Sequence, residues 1–322
     1  RADAQGGAVS AAEPGLLVVT GPTASGKTAL AVRLAELFDG ELVGADSVQV
    51  YHGFDIGSSK PTPEELRGVP HHLLDVRDAS QPLDAAEFAR LADAAIASIR
   101  ARGRQPIVVG GSGLWLRALL RGLVAAPEVD PQLRARLDAE AHSLGSPRLH
   151  ARLATVDPAA AAHIHPNDRV RIVRALEVYE QTGHALGELR RAHALGAPRH
   201  RALRLVLDLP PEQLSGRIQA RCREMIERGF LAEVEGLVAR HGRGVRPLGS
   251  VGYRELTAHL CDGIPLEESL LEMERATRIY ARRQRTWLKN EPGDRWITQP
   301  EEVLSETGLA RIEAFLRGAA AT

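Results

Sequence analysis

Leu16-Leu17-Val18-Val19-Thr20-Gly21-Pro22-Thr23-Ala24-Ser25-Gly26-Lys27-Thr28 is the stretch that decides the fold of this 322-residue chain. Its first five residues form an apolar, β-branched run of the kind that makes a strand buried on both faces. The next eight fit GxxxxGK[ST] at every fixed position, and residues 28–38 read as a helix. Strand, glycine-rich turn and helix in that order make a phosphate loop. Glycines let consecutive backbone N–H groups turn toward one anion, and the helix N-terminus adds the positive end of its dipole. Lys27 supplies a point charge and the Thr28 hydroxyl a ligand for Mg²⁺. Gly21, Pro22, Thr23, Ala24, Ser25, Gly26, Lys27 and Thr28 are therefore the expected site for a di- or triphosphate, as in nucleotide- and ATP-binding proteins.

Further along, residues 41–46 read as a second strand, 84–102 as a helix, and 106–110 as a third strand that runs into a glycine-rich turn and a helix over 114–120. Strands alternating with helices predict an α/β fold, a P-loop NTPase-like doubly wound parallel sheet. The texture changes near Ala125. Asp130-Pro131, Ser146-Pro147 and Asp157-Pro158 each set a capping side chain before a proline suited to the first helical position. Residues 125–200 are thus expected to form a small all-helical insertion domain, with 15–124 and 201–322 as the catalytic core. A strand over 204–209 returns to the sheet, followed by long helices over 211–241 and 265–289. Residues 1–14, small and polar, read as a flexible tail without the apolar segment of a signal peptide.

Hydrophobic residues at 44% and charged residues at 25% are those of an ordinary globular chain. No apolar run approaches the roughly 18–20 residues of a membrane span. Two cysteines, Cys222 and Cys261, are too few and too far apart for a disulfide framework or a zinc ribbon, so a reducing cytosol is expected. The net charge is zero, yet residues 275–290 carry six basic groups and no acid. Such a local surplus suits an anionic polymer. On a helix, Arg278, Arg282, Arg285 and Lys289 fall in one stripe, and Arg171 and Arg174 share a face.

The phosphate loop leaves the chemistry open. The 106–110 strand ends in glycine, whereas Asp46 and Asp208 end two others. In a parallel sheet the strand C-termini gather on one edge, beside the phosphate loop. Asp46 is therefore expected within reach of a ligand held at Lys27, and it reads equally as the cap of the turn Asp46-Ser47-Val48-Gln49. Gly110-Gly111-Ser112-Gly113 arrives at the same edge, either as a second backbone nest or as a tight strand-to-helix turn.

In order, GPTASGKT (21–28), ADSVQVYHGFDIGSSKP (45–61), PHHLLD (70–75), VGGSGLWLRALLRGL (109–123), HPNDRVRIVRALEVY (165–179), SVGYREL (250–256) and TRIYARRQRTWLK (277–289) resemble the motifs of the bacterial tRNA dimethylallyltransferases. The resemblance implies transfer of a dimethylallyl group from dimethylallyl diphosphate to N6 of the adenosine 3′ to the anticodon, in tRNAs reading codons that start with U. It implies Asp46 as general base, Thr28 and Arg221 as catalytic groups at the diphosphate, and Mg²⁺ as cofactor with Thr28 as its protein ligand. It places tRNA contacts at Asp46, Ser47, Val48, Gln49, Ser112, Arg134, Val170, Arg171, Ile172, Val173 and Arg174. Further contacts are implied at Gly249-Ser250-Val251-Gly252-Tyr253-Arg254 and Arg282-Arg283-Gln284-Arg285-Thr286-Trp287-Leu288-Lys289. The helical insertion is expected to grip the tRNA anticodon stem-loop, in a cytoplasmic monomer with no membrane partner. Ser112 stands where the family more often has threonine and keeps the hydroxyl; Trp115 stands where tyrosine is common and loses it. Two other readings use the same loop. One is a P-loop kinase of a nucleoside or other small molecule, with Asp46 as base for a hydroxyl. The other is a nucleotide-gated RNA-binding module without chemistry.

Overall fold

The computed structural model describes residues 14–124, 127–189, 197–293 and 295–318. The expected tail over 1–14 lies, apart from Pro14, outside the described residues. Strands are β1 (Leu16–Thr20), β2 (Gly40–Gly44), β3 (His71–His72), β4 (Gln105–Gly110), β5 (Ala202–Leu207) and β6 (Arg295–Thr298). Helices are α1 (Lys27–Leu37), α2 (Pro63–Leu66), α3 (Ala85–Ala101), α4 (Gly113–Arg121), α5 (Pro131–Leu144), α6 (Ser146–Val156), α7 (Pro158–Ala161) and α8 (Arg169–Thr182). They continue with α9 (Pro211–Glu227), α10 (Phe230–His241), α11 (Tyr253–Asp262), α12 (Leu266–Asn290), α13 (Pro300–Val303) and α14 (Glu306–Leu316). Two units form around separate cores, one within Leu123–Ala197 and one from the described residues up to Gly122 together with those from Pro198 onward.

The α/β unit carries a six-stranded, all-parallel sheet in the order β3-β2-β4-β1-β5-β6. Every residue of β1 is buried, as a central parallel strand requires. Leu17 and Val19 pack with Leu30 and Leu34 of α1, Ile107, Leu205 and the α14 residue Phe315 in one core, which sets the strand's period of two against the helix's period of 3.6. The edge strands β3 and β6 escape sequence reading. The first is two residues long, and the second, RWIT, is half exposed. The helix expected over 211–241 is two helices, because Gly229 sits at φ +96° and breaks the chain between α9 and α10.

The helical unit starts as its sequence predicts at two of three caps. The Asp130 carboxylate accepts the N–H groups of Gln132 and Leu133, and that of Asp157 accepts from Ala160. Ser146 caps nothing: Gly145, at φ +82°, both ends α5 and precedes α6, so Ser146 is already inside the helix. The core gathers Leu137, Leu149, Leu153, Ile172, Val173 and Leu176. Ile172 and Val173 are thereby corrected from tRNA contacts to core residues, each at most 1% exposed. The helical period of RVRIVRALEVY sends them inward and leaves Val170 and Arg171 outside. Arg134 and Arg174 both pair with the fully buried Glu177, and Arg174 also donates to the Pro127 carbonyl. Their guanidinium groups hold the unit together rather than standing free for phosphate.

Candidate active site

At the C-terminal edge of the sheet the α/β unit encloses a cavity of about 330 Å³. One end is the phosphate loop, with Thr23, Lys27 and Thr28. The loop after β2 brings Asp46, Ser47, Val48 and Gln49, and the end of β4 brings Gly110 and Gly111. Two helix faces close the side. Ile218, Arg221, Cys222 and Met225 recur at helical spacing on α9, and Met273, Thr277, Tyr280 and Gln284 on α12. Both methionines of the chain therefore line this one cavity.

At the phosphate end, Gly26 adopts φ +88° as the N-cap of α1, a left-handed conformation that glycine takes without strain. The helix start leaves first-turn N–H groups without intrahelical partners, facing an anion site. Lys27 Nζ donates to the Pro22 carbonyl at 2.7 Å. Burial, with the Arg221 charge adding to it, lowers the Lys27 ammonium to about 8. Burial also lowers the Arg221 guanidinium, against the opposing pull of Asp46. The Ser25 hydroxyl is buried in the loop without a hydrogen-bond partner. An anion in the cavity would relieve the two desolvated cations.

The loop is braced from the far end of the sequence. Gln284 accepts the Thr23 N–H at 2.9 Å and donates to the Gly111 carbonyl at 3.0 Å. A Cβ at Gly111 would come within 2.4 Å of the Gln284 amide nitrogen, so glycine there allows the brace.

Asp46 satisfies both of its sequence readings. One carboxylate oxygen accepts from the Val48 and Gln49 N–H groups at 2.9 and 3.4 Å, closing the turn, while the side chain lines the cavity. The Ser112 hydroxyl accepts the Ser47 N–H at 3.0 Å, tying the β2 loop to the β4 loop. Gln49 donates to the Ser58 and Ser59 carbonyls, both at 3.0 Å. Tyr280 faces the same space, its phenol raised by burial and by the Asp46 charge. Asp208, the other strand-end acid, is taken by Arg285 and Lys289 at 2.7 Å each. Trp115 stacks on Phe88 at 4.4 Å in the core and is absent from the cavity wall.

The C-terminal positions divide. Arg282, Arg283 and Thr286 are exposed, and Leu288 is core. Arg278 pairs with Glu274, and Trp287 lies under Arg117 at 5.0 Å. The expected stripe thus shrinks: Arg278, Arg285 and Lys289 have internal partners, whereas Arg282 and its neighbour Arg283 project to solvent. Gly249, Ser250, Val251 and Gly252 line the cavity, with Arg254 exposed beside them and held by Glu255. Tyr253 is fully buried against Phe54 and Phe230, its hydroxyl donating to Glu233 at 2.7 Å. Glu233, which no motif marks, also accepts the N–H groups of Asp55, Ile56 and Gly57 and fixes that wall.

A phosphate loop at the end of a central parallel strand, two half-buried cations beside it and a partly apolar flank leading to a carboxylate make this a P-loop-type α/β protein with one cavity joining an anion cradle to an acid. A model of the family described as IPP transferase matches residues 49–291. The chain is 54% identical to the tRNA dimethylallyltransferase of Anaeromyxobacter sp. (strain K) over 89% of its length and 94% of that protein. Its structure resembles that of the full-length tRNA isopentenylpyrophosphate transferase from Bacillus halodurans, with 35% identity, a TM-score of 0.67, and 95% and 96% of the two chains covered. It also resembles a eukaryotic dimethylallyltransferase described as acting on tRNA, with 27% identity and a TM-score of 0.78 over 96% of this chain and 81% of that one. The chain belongs to the IPP transferase family. Among the described residues no helix is long and apolar enough to cross a membrane.

Proposed function

We propose that this protein is a tRNA dimethylallyltransferase that holds dimethylallyl diphosphate by its diphosphate at the phosphate loop, with Asp46 beside the acceptor amine. The observation that carries this is one cavity joining Lys27, Arg221 and Thr28 to Asp46 past an apolar wall. β1 and β2 are separated by β4, so their C-terminal ends stand about 10 Å apart, leaving room for an allyl group between phosphate loop and carboxylate. The N6 nitrogen attacks C1 of the allyl group, the C1–O bond breaks, diphosphate leaves, and the N6 proton passes to Asp46. The adenine amine is a weak nucleophile because its lone pair is delocalised into the ring, so a positioned base matters; such groups contribute about 10²–10⁴-fold. Lys27, Arg221 and the phosphate-loop donors stabilise the charge growing on the leaving group.

Mg²⁺ fits this cradle as an ion bound chiefly by the donor. Among the described residues no cluster of three or more His, Cys, Asp or Glu could cage a metal. Thr28 lines the cavity, and Mg²⁺ is commonly held by one or two protein groups plus substrate phosphates and water. When bound it would neutralise diphosphate charge, with Thr28 as its protein ligand. For the RNA, Arg282 and Arg283 on α12 and Arg171 at the start of α8 are cations suited to phosphate contacts. The helical unit holds the anticodon stem-loop, and the target base leaves its stack to enter the cavity at a cost of a few kcal/mol.

The test is one incubation of protein, unmodified tRNA, dimethylallyl diphosphate and Mg²⁺, followed by digestion and nucleoside mass spectrometry. A gain of one C5H8 unit on adenosine is expected. Unchanged adenosine with phosphate released from ATP in a parallel tube would turn the assignment to a kinase.

A further inference from the structure

The mechanism leaves an imidazole in the cavity without a task. His71 lines it, and both ring nitrogens are closed to solvent without a hydrogen-bond partner. Its neighbour shows why it points there. His72 bonds Glu41 at 2.7 Å on one face of β3, so the strand's alternation turns His71 to the other. Gly44, on the neighbouring strand, makes room: a Cβ there would lie 3.2 Å from His71 Nε2. Burial, with His72 adding to it, pushes the imidazole down to about 4, so near neutral pH it is uncharged, with one N–H donor and one acceptor nitrogen.

Such a group left unpaired is costly, and the three parts of the two substrates differ in what they offer it. The hydrocarbon offers no hydrogen bond. The diphosphate sits at the end of β1, which β4 and β2 separate from β3, roughly 14 Å away across the sheet. The base offered to Asp46 is one strand away, since β2 and β3 are neighbours. Resting on the prenyl-transfer reading above, we propose that His71 is a specificity residue for the acceptor base. Its neutral imidazole hydrogen-bonds a ring nitrogen of adenine flanking the amino group, N1 or N7.

The experiment uses the full chain, saturating dimethylallyl diphosphate, and tRNA carrying adenosine, 1-deazaadenosine or 7-deazaadenosine at the acceptor position. His71→Leu is expected to lower kcat/KM for the adenosine substrate roughly ten- to hundredfold, with donor affinity unchanged by calorimetry. Wild type should lose a similar factor on one deaza substrate, and His71→Leu should lose nothing further on that substrate. His71→Gln, which keeps a donor and an acceptor, should recover most of the adenosine activity. Losses that multiply for both deaza substrates, or wild type indifferent to both, would overturn the proposal. The wild-type comparison decides even where His71→Leu fails to bind donor. Wild type inactive on adenosine itself would instead overturn the prenyl-transfer reading.

Discussion

The two units use their cations differently. In the helical unit Arg134, Arg136, Arg152, Arg169 and Arg174 each meet a carboxylate of the same unit. In the cavity of the α/β unit, Lys27 bonds a carbonyl and is depressed by burial and by the Arg221 charge, while burial depresses Arg221 itself. A cation answered by a nearby carboxylate is part of the scaffold. One desolvated beside another cation is placed for an anion that arrives from outside.

That contrast fails first, and most visibly, at Arg221. Arg221→Ala should reduce kcat/KM about 10²–10³-fold, because its charge would face the leaving diphosphate of the proposed reaction; steady-state kinetics on tRNA check this, and a loss under about fivefold would break the contrast. In the helical unit, Glu177→Gln should leave diphosphate binding intact but lower stability by about 1–3 kcal/mol, since Arg134 and Arg174 lose their charged acceptor. Thermal melting of the full chain reads it. Lys27 sharpens the comparison through pH. Its ammonium is depressed to about 8 by an environment that an anion reverses, so binding takes up a proton above that pH. Affinity for inorganic pyrophosphate should fall as pH rises through about 8, at most tenfold per pH unit. A flat calorimetric profile up to about pH 9.5 would contradict the placement. The smallest effect belongs to the solvent-facing cations. Arg282→Ala and Arg283→Ala should each weaken tRNA binding uniformly across sequences and reduce the salt slope by roughly one, measured by filter binding at several salt concentrations.

The parts of the site that lie in short contiguous motifs were legible. GPTASGKT carries its anion chemistry in the backbone it forces, and Asp46 follows from a strand ending at the binding edge. What escaped reading depends on residues far apart in the chain. Gln284 braces Thr23 across 261 positions, and Glu233 reaches the 55–57 backbone across 176 to 178; neither pairing leaves a local pattern. Other errors had a visible signal. The spacing of Ile172, Val173 and Leu176 in RVRIVRALEVY marks a buried face, which the motif resemblance overrode. Gly229 marks the break after α9, but a glycine inside a helical pattern is tolerated often enough to hide it. The orphaned Ser25 hydroxyl and His71 ring exist only as an absence of partners, which no sequence displays.

In the proposed reaction Lys27 holds the diphosphate and Asp46 accepts the proton, two separable tasks in one cavity. Asp46→Asn tests this most directly, comparing single-turnover prenyl transfer to tRNA with equilibrium binding of dimethylallyl diphosphate. Transfer should slow about 10²–10⁴-fold with donor affinity essentially unchanged. Transfer at the wild-type rate would contradict this.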